Sequence, residues 1–272
     1  MGSIDNARPD SLTGKPSLTA KPVPLAHQRR RNLPASVALG WLAAGWRDFL
    51  HSPGPSLAYG IAVFAVSLAV VWTLFALGLD YILFPALAGF MVMGPLVAIG
   101  LYQKSRDLAD GKKPSLTRMI FVKAASGPQV LFTGAILCLL MLLWMRSAVI
   151  IYALFFGLRP FPGLNHVAEM LITTPTGWAM LVIGIAVGGL FAAFSFAVST
   201  FAIPMLLDEK TDAFTAMGTS ISLCWNNLAV MLAWGTIVAT LFALSVATGL
   251  VGLIIAFPLL GHGTWHSYRA IR

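Results

Sequence analysis

His262 and His266 stand four residues apart in the run Gly261-His-Gly-Thr-Trp-His, so on a helix both imidazoles project from one face. Such a pair could hold a metal ion, or one ring could ligate a haem iron. A metal asks for a third or fourth ligand, however, and a bis-histidine haem asks for rings on opposing helices. His51 falls at the same level of the chain and is the candidate partner. Histidines held by hydrogen bonds are the favoured account: no cofactor is expected, and haem is the alternative. Cys138 and Cys224 are far apart in apolar surroundings and form no CxxC or haem-attachment pattern.

Three arginines come next. Arg106 and Arg269 each close an apolar run just after an aromatic residue, where a helix C-terminus favours a cation. Arg146 interrupts an otherwise apolar stretch from Pro128 to Gly157, with Asp80 and Glu169 as candidate partners. Ionisable residues at membrane depth are usually paired or functional, whereas an arginine at a span's end simply snorkels to the interface. Gly-x-Ser-x-Gly, P-loop and His-Glu-x-x-His motifs are all absent, so no enzyme class is indicated. Asp208, Glu209 and Asp212 cluster with Lys210 and read as a solvated turn.

The elements carrying these residues are membrane helices. Hydrophobic residues make up 58% of the 272 and charged ones 10%, far below the roughly 25% of soluble domains. From Ala213 to Tyr268 there is no Asp, Glu, Lys or Arg. A crossing needs about 20 apolar residues. Six spans are expected, near 56–79, 82–104, 128–147, 175–204, 228–247 and 249–267, making an all-α polytopic protein. Thr174-Pro175 is a good start for span four, and Gly249 permits the turn between the last two. Residues 1–34, rich in Pro, Ser and basic residues, read as a disordered cytoplasmic tail without a cleavable signal. Residues 35–272 read as a single membrane domain.

Of the 18 Lys and Arg, only Arg146 and Arg159 fall on one side of this layout. The positive-inside rule then places both termini in the cytoplasm. The net charge of +8 belongs to that membrane face, where anionic lipids attract it, and not to a nucleic-acid site.

The chain also resembles itself. Leu57-Ala-Tyr-Gly60 returns as Leu131-Phe-Thr-Gly134 and as Leu232-Ala-Trp-Gly235. Upstream, Leu39, Leu42, Trp46, Phe49 and Leu50 form a helical apolar stripe, matched by Phe214, Met217, Ile221, Cys224 and Trp225. Such stripes suit helices lying along the interface. Pro95, Gly100, Tyr102 and Arg106 reappear at the same spacing as Pro258, Gly263, Trp265 and Arg269. The expected architecture is three repeats of an interfacial helix plus a membrane hairpin. Pro/Gly-broken spans two and six could line a solute path, and Gly184-Ile-Ala-Val-Gly188 offers a close-packing face.

Four strings, Ser52-Pro-Gly-Pro-Ser-Leu-Ala-Tyr-Gly60, Gly94-Pro-Leu96 through Leu101-Tyr102, Pro204-Met-Leu-Leu-Asp208 and Phe257-Pro-Leu-Leu-Gly-His262 through Trp265-His266, carry a resemblance. Together they resemble a family of bacterial integral membrane proteins known only as a domain of unknown function. The resemblance runs from about residue 34 onward. It implies an inner-membrane protein of proteobacteria, and some members carry a label tying them to cytochrome c oxidase. No catalytic residues come with it. The expected role is therefore an accessory or assembly subunit of a larger membrane complex, with a channel or carrier for a small uncharged solute as the alternative.

Overall fold

A computed structural model describes residues 30–157 and 163–272. The helices are α1 (Val37–His51), α2 (Pro53–Ala76), α3 (Leu83–Val97), α4 (Ile99–Ala109), α5 (Leu116–Ile120) and α6 (Gly127–Phe156). They continue with α7 (Leu164–Thr173), α8 (Pro175–Ser199), α9 (Ala202–Asp208), α10 (Ala213–Asn226), α11 (Leu228–Ala247) and α12 (Leu253–Ile271). A single 3-10 turn, Asp80–Ile82, leads into α3, and no strand occurs among the described residues. Helix starts follow the sequence: Pro53 and Pro175 open α2 and α8, and the Gly177 amide donates to Thr174 Oγ1 at 3.0 Å. Gly249, at φ +62°, makes the turn after α11.

Five segments among the described residues are long and apolar enough to cross a membrane: Pro53–Ala76, Asp80–Ala109, Gly127–Phe156, Pro175–Asp208 and Leu228–Ala247. The expected sixth span exists as a helix, shifted to Leu253–Ile271, but does not join those five. Only its first half is purely apolar; its second half carries His262, Thr264, His266, Ser267 and Arg269. Large apolar side chains such as Trp72, Leu131, Leu154 and Leu190 stand on the outside of the bundle. A soluble fold rarely leaves so broad a face open, but a bilayer needs one. The expected tail at 1–34 falls mostly outside the described residues. Its last part is placed: Arg31 donates to the carbonyls of Ile271 and Arg272, and its amide to Asn227 Oδ1.

The third span is longer than expected. Helix α6 runs unbroken past residue 147 to Phe156. At 1.5 Å per residue, Arg146 lies roughly 28 Å from the start of α6, about one hydrocarbon thickness. It is exposed and forms no ion pair with Asp80 or Glu169 among the described residues. Arg159 lies outside the described residues.

Prolines act differently in the three returning spans. Proline removes one helical hydrogen bond and its ring crowds the carbonyl four residues back. Before Pro204, the break between α8 and α9 falls at Thr200–Phe201, where that crowding occurs. Helix α3 passes through Pro95 and stops only at Ala98. Helix α12 passes through Pro258 unbroken, so this expected break is absent. The Ile254 carbonyl freed by Pro258 lies against Gly60 of α2, so a Cβ on Gly60 would strike it.

Helix α12 is the hub: it packs against α1, α2, α4 and α11. Gly45 of α1 meets Gly263 so closely that a Cβ would come within 2.7 Å of the Gly263 amide nitrogen. Gly134 of α6 faces Leu96 of the α3 span, and Gly235 of α11 faces Phe196 of α8. By contrast α2 and α3, consecutive in the chain, hardly touch.

The two amphipathic helices divide their apolar stripes, burying Phe49, Met217 and Cys224 and leaving the other large residues outward or partly exposed. In α1 the inward residues are Ala38, Trp41, Gly45 and Phe49, while Leu39, Trp46 and Leu50 face out. In α10 Ala213, Ala216, Ser220 and Cys224 are buried, while Phe214, Ile221 and Trp225 face out. Both helices are thus apolar on two sides, one for the protein and one for lipid.

Candidate functional site

Four helices close around a chain of polar side chains at the end of the bundle where Arg106, Arg118, Arg269 and Arg272 gather. Lys104 of α4 and His262 of α12 are both 0% exposed. Lys104 Nζ donates to the Ser52 carbonyl at 2.7 Å and to Ser56 Oγ at 2.6 Å. Ser56 Oγ is 2.9 Å from His262 Nε2, and Ser105 Oγ is 2.8 Å from His262 Nδ1. Ser105 in turn hydrogen-bonds Asp48 of α1, and His266 Nε2 lies 2.8 Å from Asp48 Oδ2.

Lysine can only donate, which leaves the Ser56 hydroxyl hydrogen free to reach His262 Nε2. With the His262 proton on Nδ1, donors then run in one direction from the Lys104 ammonium through Ser56, His262 and Ser105 to the Asp48 carboxylate. Burial raises the Asp48 carboxyl most strongly, but hydrogen bonds from His266 and Ser105 and the neighbouring charges outweigh it and leave it below its ordinary value.

The residue types here, serine beside lysine and histidine, are those of nucleophilic catalysis. Ser56 is nevertheless fully buried, and both His262 nitrogens and the ammonium are engaged. What the arrangement does is tie α1, α2, α4 and α12 together. The two histidines expected to act as a pair have different partners. His262 bridges two serines, while His266 holds Asp48 from a half-buried position. His51 is exposed and is not a partner of either. Among the described residues no group of three His, Cys, Asp or Glu is placed to hold a metal.

The repeated strings meet at a second point. Arg106 Nε and Arg269 Nη1 each lie 3.4 Å from an Asp208 oxygen, and Arg106 also donates to the Leu207 carbonyl. Arg272 pairs with Glu209 at 2.7 Å, and the Tyr268 hydroxyl donates to the same carboxylate at 2.8 Å. The acidic turn is therefore not simply solvated, because these cations need its charge where the returning helices converge. Only Asp212 acts as a surface cap, accepting from the Thr215 amide. Tyr102 and Trp265 are buried, Gly100 lies against Met119 and Tyr59, and Gly263 lies against Trp234.

Sequence reasoning missed Lys104, Ser56, Ser105 and Asp48. Lys104 is indistinguishable in sequence from its basic loop neighbours. Asp48 left a signal, being the only acidic residue between Asp10 and Asp80.

Two apolar spaces complete the picture. A cavity of about 100 Å³ lies between α3, α8, α11 and α12, bordered by Phe90, Pro95, Phe196, Phe242, Phe257 and Thr264. A groove of about 780 Å³ separates α2 from α3 and opens sideways.

Residues 83–208 match the model of a family described as "Predicted integral membrane protein (DUF2189)". This chain is an integral membrane protein. The match spans α3 to α9 and contains two of the four strings that carried the resemblance, together with Lys104, Arg106 and Asp208. It leaves out Asp48, Ser56 and His262. No curated protein and no solved structure matches the chain.

Proposed function

We propose that the protein is a non-enzymatic inner-membrane protein of six membrane helices, serving as an accessory or assembly subunit of a larger membrane complex. Its three units are α1–α4, α5–α9 and α10–α12, each an interfacial helix plus a hairpin. The inward and outward residues of α1 recur in α10 175 positions on, as Leu57–Gly60 does at Leu232–Gly235: Ala38 with Ala213 and Leu50 with Trp225. Gly60, Gly134 and Gly235 each face the returning helix of a different unit. Both termini are cytoplasmic on this reading, since the cations gather at their end.

The observation that carries the accessory role is the outer face of α8. Gly188 of the expected small-residue face is spent inside the bundle on Trp144, but Ala179, Ala186, Gly189 and Ala193 point outward. No atom approaches Gly189 within 4 Å of where a Cβ would stand. Small residues at such spacing let a second membrane helix approach closely. The enclosed Ser56–His262–Lys104 chain supports the non-enzymatic part. A respiratory oxidase is the first partner to look for, on the resemblance alone. The test is native co-purification with mass spectrometry. A partner held by the wild type and lost in Gly189→Leu supports the role, and recovery of the wild type alone overturns it.

A second reading is favoured by the 100 Å³ cavity between α3 and α12, where a carrier for a small uncharged solute would bind its cargo. Dry apolar cavities of similar size bind benzene or xenon. Solute uptake into proteoliposomes that is lost in Ala256→Phe would favour it.

A further inference from the structure

We propose that the groove between α2 and α3 is a binding site for one anionic phospholipid, its acyl chain between the helices and its headgroup on the basic rim of α5.

The two helices of the first hairpin are joined by a short turn yet stand apart over their length. The space left is lined almost wholly by apolar atoms, from Leu74, Ile82 and Leu83 at one end to Tyr59, Val97, Leu116 and Ile120 at the other. The stretch of α2 along it, Ala58 to Leu74, spans about 24 Å, most of one hydrocarbon thickness. No side chain among the described residues fills it, and apolar walls left facing a void lose their contacts outright. Within a bilayer the material at hand for such a slot is an acyl chain.

The charge at one end selects the head. Leu116 and Ile120 of α5 form that end of the groove. Around them Lys112 is taken by Asp110 at 2.7 Å, and Arg118 by Asp107 at 3.3 Å. Lys113 and Lys123 are exposed and have no carboxylate partner among the described residues. Two uncompensated cations, each three residues from a groove-lining residue of α5, complement a lipid phosphate that carries no positive choline. The neighbouring Tyr59 hydroxyl is already donated to the Val97 carbonyl at 2.6 Å, so it does not compete for that phosphate.

The experiment places the full chain in nanodiscs of equal phosphatidylglycerol and phosphatidylcholine, extracts it into mild detergent and counts bound lipid by native mass spectrometry. The wild type is expected to retain one lipid, with phosphatidylglycerol preferred by at least about fivefold, the contribution of a single surface cation toward anionic lipid. Ala62→Trp, which blocks the groove, should remove the adduct of both lipids. The surface variant Lys113→Gln/Lys123→Gln should keep the adduct and lose the preference. A wild type that retains no lipid, or both equally, overturns the proposal, as does an adduct indifferent to Ala62→Trp. A protein that co-purifies with the wild type and is displaced by Ala62→Trp would make the occupant a helix and likewise refute it.

Discussion

Replacing Asp48 by Asn and Lys104 by Met, singly and together, tests whether the buried polar chain acts as one unit. Lys104 is wholly enclosed, and the carboxylate that answers its charge is Asp48, reached through Ser56, His262 and Ser105. Stripping one partner from a buried ion pair typically costs about 3–5 kcal/mol, because the other charge is left uncompensated. Here the charges are separated by three side chains and Asp48 keeps some solvent contact, so Asp48→Asn should cost about 2 kcal/mol. Lys104→Met leaves the Ser52 carbonyl and Ser56 hydroxyl short of a donor and should cost about 2–3 kcal/mol. In the double variant neither charge remains, and the cost should be about 3 kcal/mol instead of the additive sum, a coupling of roughly 1–2 kcal/mol. Reversible unfolding in mixed micelles with increasing dodecyl sulfate, followed by far-UV circular dichroism at pH 7, measures all four proteins. A coupling within about 0.5 kcal/mol of zero would refute the unit and leave Lys104 with only its two local hydrogen bonds.

Other outcomes follow from single contacts. Gly45→Ala pushes a Cβ into the backbone of Gly263 and should destabilise by about 1–3 kcal/mol, while Gly40→Ala, with open space on the same helix, should stabilise by about 0.5–1 kcal/mol. Thermal unfolding of the two variants in detergent checks the opposite signs. Arg272 foremost, with Tyr268, holds the Glu209 carboxyl below its ordinary value. Its contribution is therefore complete above the unfolded carboxyl range near pH 4.3 and is lost as pH falls below it, so Glu209→Gln should flatten stability over that acid range. Arg106→Gln and Arg269→Gln should each cost less than about 1 kcal/mol, because either arginine still answers Asp208 and both are partly solvated. Their double variant should cost more than the sum, read by the same unfolding titration.

Hydropathy alone locates the helices, because a bilayer demands long apolar runs wherever the chain crosses. Their ends are less legible. Helix α6 continues past Arg146 because nothing in Ser147–Phe156 breaks a helix, and the place of the headgroups does not. The matched strings point to Gly100, Tyr102, Gly263 and Trp265 as close-packed positions, and to Arg106 and Arg269 as equivalents. They do not reveal that Asp208 joins the two arginines, since Asp208 has no counterpart in either matched string. The polar chain is the least legible part. It draws one residue or two from each of four helices, and no spacing in the sequence connects Asp48, Ser56, Lys104 and His262.

The position of α12 bears on how the protein is made. Gly45, Gly60 and Ser56, emerging early from the ribosome, wait for a partner that is synthesised last. Until then Lys104 has no histidine-bridged route to its counter-charge, and α2 lacks the helix it packs against most. Assembly in this molecule thus cannot finish in the order of synthesis, and a nascent chain arrested before residue 253 would be a ready client for membrane chaperones and proteases.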